Sequence, residues 1–257
     1  MTRRLALQAW GDEDAPRVVC LHGVTSHGRH FEELAARISD RFRVLGLDLL
    51  GHGDSPWEPP WDVGSHLDAI VATVGDRPAV YVGHSFGGRL GFELAAREPE
   101  LVERLVLLDP AIQIPPEAAL YAAENARRDR SYASFAEGID RRYEESRLTA
   151  ASRERLEREL ATHLVESDDG RWRYRYCQAA VVAAYGEMSS EPPPFGRVDV
   201  PTLVVLGEES YIPYAPLLDA HRAAAGDRLE VVTLPGGHTV LWDQPEATID
   251  AIERFLT

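Results

Sequence analysis

Apolar residues along this chain gather into short runs separated by longer stretches of helical periodicity. Arg17–Leu21, Arg43–Leu47, Ala79–Val82, Arg104–Leu108, Thr202–Leu206 and Leu229–Thr233 are nearly continuous in Val, Leu and Ala. That is the pattern of strands buried on both faces. A weaker strand pattern covers Arg3–Ala9. Amphipathic spacing predicts helices at Phe31–Ile38, His66–Val74, Gly87–Arg97, Ala215–Ala225 and Pro245–Phe255. Strand and helix in alternation predict an α/β fold, a mostly parallel sheet with helices on both faces.

The alternation stops between Ala111 and Arg197, where the sequence turns helical and charged. Arg127–Arg130, Arg141–Arg147 and Arg153–Glu159 read as solvated helix faces, and Pro192–Pro194 closes the stretch. Its two ends both return to sheet strands. The expected organisation is therefore a core made of 1–110 and 198–257, with 111–197 inserted as a mainly helical lid. No internal repeat is evident.

Composition narrows the function classes. With 257 residues, 44% hydrophobic and 27% charged, the chain has the makeup of an ordinary globular protein. All 27 cationic side chains are arginine, against 42 acids, for a net charge of −15. Such a surface disfavours nucleic acid and anionic membrane as partners. No run approaches the roughly 20 apolar residues of a membrane span, and Met1–Trp10 lacks the apolar run of a signal peptide. Cys20, in a strand pattern, reads as a small core residue, and Cys177 lies far from it in the chain. No disulfide framework is implied, and the expected compartment is the cytoplasm. The histidines are scattered without ligand spacing and no phosphate-cradling loop is present, so neither metal nor cofactor is expected.

The chemistry centres on Gly83-His84-Ser85-Phe86-Gly87, which follows the Ala79–Val82 strand and opens a helix. G-x-S-x-G in a strand–turn–helix context presents the serine hydroxyl on a sharp turn above the sheet. The flanking glycines are required where side chains would strike the neighbouring strand and helix. A neutral serine needs a base, and the base needs an orienting acid. His238, in Pro235-Gly236-Gly237-His238-Thr239 just past the last strand, is the expected base. The backbone N–H of Phe86, at the start of the helix, is an expected donor to the oxyanion of acyl transfer.

Leu21-His22-Gly23, Asp48-Leu49-Leu50-Gly51-His52-Gly53-Asp54-Ser55, the Ser85 turn, Leu108-Asp109-Pro110, Leu206-Gly207-Glu208 and Gly237-His238 together resemble the α/β-hydrolase superfamily. The resemblance runs along nearly the whole chain. It implies a second oxyanion donor, the N–H of Val24, and a lid at the position of 111–197. His22, Asp48 and His52 read as shaping loops rather than reacting. His27 and His30 read as loop or surface residues, either of which could edge a pocket.

One position departs from the family pattern. The acid usually follows the strand at Thr202–Leu206 as Gly-x-x-Asp, but here Ser210 stands in its place. Asp109, at the end of the preceding strand, is the favoured acid, as in some members of the family. Glu209 is the alternative, and a scaffold that binds without turnover is the third reading. Glu208 reads as structural.

A serine at position 85 points away from dehalogenase and epoxide hydrolase chemistry, which use a carboxylate nucleophile. The expected reaction is hydrolysis of a small carboxylic ester or lactone through an acyl-enzyme on Ser85. Carbon–carbon bond hydrolysis, thioester hydrolysis, a lyase of menaquinone synthesis, perhydrolysis and non-catalytic ligand binding stand as alternatives. The aromatics Trp172, Tyr174, Tyr176 and Tyr185 read mostly as lid core. Arg171, Arg173 and Arg175 read as a solvated edge, and Trp57 and Trp61 as residues that pack or line an entrance. The oligomeric state is left open.

Overall fold

The computed structural model describes residues 3–145 and 150–257. Its elements in chain order are β1 (Leu7–Trp10), β2 (Arg17–Leu21), α1 (Glu32–Ile38), β3 (Arg43–Leu47), α2 (Val63–Val74), β4 (Ala79–His84), α3 (Phe86–Arg97) and β5 (Val102–Leu108). Then follow α4 (Pro116–Ala126), α5 (Phe135–Glu145), α6 (Arg153–Leu160), β6 (Leu164–Glu166), β7 (Trp172–Tyr174) and α7 (Gln178–Ser189). The chain closes with β8 (Thr202–Gly207), α8 (Ala215–Ala225), β9 (Leu229–Leu234), α9 (Val240–Asp243) and α10 (Pro245–Leu256).

Seven strands form one sheet in the order β1-β3-β2-β4-β5-β8-β9. All neighbours run parallel except β1, which pairs antiparallel with β3 from Leu7↔Leu47 to Trp10↔Val44. Of the expected strand at Arg3–Ala9, only its later part is realised, extended to Trp10.

The apolar runs are continuous because each strand feeds two cores. In β2, Val19 and Leu21 face Leu67, Ile70, Leu90 and Phe92 of α2 and α3. Val18 and Cys20 face the opposite layer, with Leu34 and Ile38 of α1 and Ile252 of α10. This period-two alternation under two helical layers is why the run contains no polar residue after Arg17. Because β2 to β5, β8 and β9 are parallel, their C-terminal ends reach one edge, and the loops carrying Val24, Ser85, Asp109 and His238 lie there.

The stretch between β5 and β8 differs from the simple expectation. Among the described residues it holds four α-helices, but also the antiparallel pair β6 and β7, with Leu164↔Tyr174 and Glu166↔Trp172 in register. Arg127–Arg130 is not helical; it is the turn that leaves α4. The run Arg141–Arg147 continues α5 as far as position 145, and its remainder lies outside the described residues. Arg153–Glu159 does form α6, yet its last residue is not solvated, since the Glu159 side chain is only 11% exposed. The alternating Arg171, Arg173 and Arg175 lie on and beside β7 and are individually paired, to Ser131, Asp169 and Asp54. A third core of Ile139, Leu156, Leu160, Leu164, Tyr174 and Val181 holds this stretch together.

Candidate active site

Ser85 sits between β4 and α3 at φ 55°, ψ −116°, a left-handed conformation that a serine adopts only under constraint. The constraint is visible in the flanking glycines. A Cβ on Gly87 would lie 2.0 Å from the Leu21 carbonyl oxygen of β2, and one on Gly83 would lie 2.3 Å from the Gly87 carbonyl oxygen. Any side chain at either position would push strand and helix apart. The Ser85 N–H donates to Leu108 O at 3.1 Å and the Ser85 carbonyl accepts from Ala111 at 3.1 Å, so β5 holds the turn from one side. Phe86 is the first residue of α3, where N–H groups have no intrahelical acceptor.

His238 lies in the loop between β9 and α9, in a Gly-Gly-His turn. Gly236 has φ 122°, and the Gly237 N–H donates to Asp243 Oδ2 at 2.8 Å. The imidazole Nδ1 lies 2.6 Å from Asp109 Oδ2. An ionised carboxylate only accepts, so Nδ1 carries the proton and Nε2 is left as the ring's acceptor. Asp109 is 2% exposed and, like Ser85, has a positive φ, 41°. Its Oδ1 accepts the Gly207 N–H at 3.1 Å, and its Oδ2 also accepts the Ser210 hydroxyl. Ser210 Oγ in turn accepts the Ile212 N–H at 3.1 Å. The residue at the family's usual acid position thus hydrogen-bonds the carboxylate on the neighbouring strand. Glu208 and Glu209 are both exposed, and the carboxylate bonded to His238 is that of Asp109.

The loop after β2 is shaped by polar side chains. His22 donates from Nδ1 to Gly23 O at 2.7 Å and accepts the Leu49 N–H on Nε2 at 3.0 Å. Burial, then the proximity of His52, holds its pKa well below the usual value, so the ring stays neutral. Asp48 accepts the N–H groups of Gly28 at 2.8 Å and Asp54 at 3.1 Å, tying two loops together. Both residues are loop scaffolding, as expected. Val24 follows in this loop and faces the same cavity as Ser85 and His238. Neither its N–H nor that of Phe86 finds an acceptor among the described residues.

The cavity above the sheet edge encloses about 750 Å³. Ser85, His238 and Val24 form its floor; Tyr176, Tyr185, Met188 and Arg142 from the β5–β8 stretch line its walls. Of the four aromatics singled out in sequence, Tyr176 and Tyr185 face the cavity, while Trp172 and Tyr174 pack into the third core. Burial pushes the Tyr176 and Tyr185 phenols up to about 12. Trp57 is 43% exposed, its indole donating to Gly53 O at 3.1 Å, and Trp61 packs against the first core.

His27 and His30 are buried, contrary to a surface reading, because α6 covers them. Glu159 of α6 accepts from His30 Nδ1 at 2.7 Å and from the Trp242 indole. His84 donates from Nε2 to His238 O at 3.0 Å, and His27 stacks on His163 at 4.5 Å. Sequence reasoning missed His84, His163, Glu159 and Trp242 in this setting. Their partners lie far off in the chain, and only the placement of His84 inside the serine turn hinted at a role. Among the described residues, no group of three or more His, Cys, Asp or Glu side chains could hold a metal ion, and no helix is long and apolar enough to cross a membrane.

Comparison with known proteins agrees with this architecture. Lipase LipV of Mycobacterium tuberculosis is 33% identical over 259 aligned positions, covering 98% of this chain and 97% of that protein. The 2-(acetamidomethylene)succinate hydrolase of Mesorhizobium japonicum is 32% identical, covering 98% and 92% respectively. The crystal structure of an E-2-(acetamidomethylene)succinate hydrolase superposes with a TM-score of 0.86 at 27% identity, covering 98% of this chain and 94% of that one. The profile of the Alpha/beta hydrolase family matches residues 18–251, and the chain belongs to that family.

Proposed function

We propose that this chain is a serine hydrolase that cleaves a small carboxylic ester or lactone through an acyl-enzyme on Ser85. His238 is the general base, Asp109 orients it, and the N–H groups of Val24 and Phe86 take the oxyanion. The observation that carries this reading is the 2.6 Å contact of His238 Nδ1 with a buried Asp109, beside a serine strained on its turn in the same cavity. Strained non-glycine residues concentrate where a fold presents reactive groups. The lipase and hydrolase names of its relatives support hydrolysis as the reaction class.

In the proposed sequence of steps, His238 Nε2 removes the Ser85 proton as Oγ attacks the carbonyl carbon. Negative charge moves onto the carbonyl oxygen, where two backbone N–H groups meet it. Collapse expels the alcohol, which takes the proton from His238. Water, activated by the same imidazole, then releases the acid. Asp109 holds the ring in the tautomer that leaves Nε2 free and stabilises the imidazolium. In this reading 1–110 and 198–257 form the core and 111–197 is a lid that sets which substrates enter.

Ser85→Ala tests the proposal directly. Turnover of p-nitrophenyl acetate should fall by at least about a thousandfold, with thermal melting unchanged. An organofluorophosphonate should label the wild type at Ser85 alone. Activity within tenfold of wild type, or labelling elsewhere, would overturn the assignment.

A further inference from the structure

Arg89 and Arg142 both turn inward, and the fold treats them differently. Arg89 of α3 is 1% exposed, and its charge is met by Glu93, to which Nε donates at 2.8 Å. Its remaining N–H groups donate to the carbonyls of Ile112, Ser190 and Glu191. Every feature of that environment is that of a structural cation.

Arg142 of α5 lines the cavity instead. Nη1 donates to Thr25 Oγ1 at 2.9 Å and Nη2 to Thr25 O at 3.4 Å, while Nε is buried without an acceptor. The guanidinium lies 5.7 Å from the Tyr174 ring centre and 5.5 Å from that of Trp242. Among the described residues no carboxylate pairs with it. The acids on its own helix are taken, Glu144 by Arg141 at 3.7 Å and Glu145 by Arg130 at 2.5 Å. Glu159 is engaged by His30 and the Trp242 indole. The imidazoles it faces are neutral: burial first, with Arg142 contributing, holds His27 near 3 and His84 and His163 well below their usual value. Of the other arginines lining the cavity, Arg130 and Arg141 are ion-paired and Arg128 is exposed to solvent. Arg142 is thus the one that presents an inward-turned positive charge without a carboxylate among the described residues, in a protein whose net charge is −15.

We infer that Arg142 is the receptor for a carboxylate carried on the acyl chain of the substrate, so that the preferred substrates are esters of dicarboxylic acids. The planar guanidinium fork matches a carboxylate in shape and charge, which no neutral acyl group does. The acyl side is indicated by Thr25, the residue after Val24. The group that binds Arg142 lies next to the loop proposed to hold the acyl oxygen. Ring faces and a threonine satisfy the guanidinium weakly, leaving it to gain most from an incoming anion. This inference rests on the hydrolase reading above for the position of the scissile bond, but not for the anion site itself.

The test compares p-nitrophenyl hydrogen glutarate with its neutral methyl ester, reading p-nitrophenol release. In the wild type kcat/KM should favour the half-acid by about 10- to 100-fold, the worth of one charge-assisted hydrogen-bonded pair. Arg142→Gln should bring that ratio close to one, and Arg142→Lys should restore part of it. A wild-type ratio of one or less overturns the inference, as does a high ratio that survives in Arg142→Gln. Glutarate binding to Ser85→Ala, measured by calorimetry, separates the two readings. If no ester is turned over, yet glutarate binds Ser85→Ala and not the Ser85→Ala/Arg142→Gln double variant, the anion site stands and the hydrolase reading falls. If esters are turned over without preference for the half-acid, and glutarate does not bind, the hydrolase reading stands and the anion site falls.

Discussion

The edge of the sheet and the stretch that covers it are held by different kinds of force. At the edge, Ser85, Asp109 and His238 are carried by β4, β5 and the loop after β9. Those strands are packed between two apolar layers and locked by parallel hydrogen-bond ladders. The backbone itself is over-determined there, and it tolerates positive φ at two of the three side chains. The stretch between β5 and β8 has its own small core, joins the first core through Ile114, Ala119, Ala184 and Met188, and is fastened at other points by individual polar ties. Arg89 binds the carbonyls of Ile112 and Ser190 at its two ends. Asp243 accepts the N–H groups of Ala150 at 2.9 Å and Ala151 at 3.1 Å, and Glu159 joins His30 to Trp242. A rigid edge suits chemistry that needs reacting atoms fixed, and, under the proposed lid reading, a stretch joined by one apolar face and separate polar ties suits variation in what is admitted. Single substitutions should therefore abolish chemistry without unfolding the edge, and should loosen or retune the cover without touching the chemistry.

The largest expected effect is at the edge. Asp109→Asn keeps the shape and tolerates the positive φ, but removes the charge that fixes the His238 tautomer. We expect kcat to fall about 10⁴-fold, roughly 5.5 kcal/mol of barrier, with little change in melting temperature. Glu209→Gln should stay near wild type, because Glu209 is exposed and the imidazole's carboxylate partner is Asp109. The opposite result for the pair would move the acid to the later strand; insensitivity of both would leave a Ser–His dyad.

The polar layer between edge and cover should respond next, and to pH. Burial lowers His27 and His66 to about 3 and His52 to about 4 from an ordinary 6.5. Their folded values lie below the unfolded one. Below pH 6.5 the unfolded chain therefore takes up protons that the folded chain refuses. Stability is full above that pH and is lost as pH falls toward 4. Each imidazole contributes at most about 1.4 kcal/mol per pH unit, so these three together set an upper limit of about 4 kcal/mol for the first unit. Urea midpoints at pH 7, 6 and 5 should decline steeply. A flat profile would show that water or local opening relieves the burial.

How much of this was legible in the sequence follows the same division. The buried parallel strands announced themselves because two-faced burial excludes polar residues, and only their ends shifted by a residue or two. The β6–β7 pair was missed although its signal was present. Arg171-Trp172-Arg173-Tyr174-Arg175-Tyr176 alternates with period two after Asp169-Gly170, where Gly170 has φ 73°. Arginine at every second position masks the strand period, because charge at that spacing has the look of a solvated face. The placement of Ser85, His238 and Asp109 was readable because each follows a strand end. The burial of Glu159 under a charged helix was not, since its partners His30 and Trp242 lie 129 and 83 positions away. No local pattern encodes a contact of that kind.

Arg89 tests the cover's anchorage. Arg89→Met removes a buried cation from Glu93 and from three carbonyls, and breaking such a set is expected to destabilise by about 3 kcal/mol, the low end for a buried pair. The low end applies because Glu93 retains 17% exposure and can turn to water. Chemical denaturation should show the loss, while the preference between the half-acid and its methyl ester should persist. Collapse of that preference in Arg89→Met would mean that anchorage, and not Arg142, sets substrate choice.

The smallest expected effect is at Ser210, and it sharpens the account of the edge most finely. Its hydroxyl donates to Asp109 Oδ2, the same oxygen that accepts from His238 Nδ1. A donor on a carboxylate draws charge from it and so weakens the carboxylate's hold on the imidazolium, but it also fixes where the oxygen points. Ser210→Ala removes both influences. The Gly207 N–H still holds Oδ1 at 3.1 Å, so the carboxylate keeps one of its two supports. One hydrogen bond to a charged group is worth about 1.5–3 kcal/mol, and most of that should appear as lost stability rather than lost rate. We expect kcat to change by only about threefold. The diagnostic readout is the pH profile. Without the Ser210 donor, Asp109 stabilises protonated His238 more strongly, so the acidic limb of kcat/KM should move to higher pH. A shift to lower pH, or a loss of activity as large as that of Asp109→Asn, would make Ser210 part of the acid itself rather than a support for it.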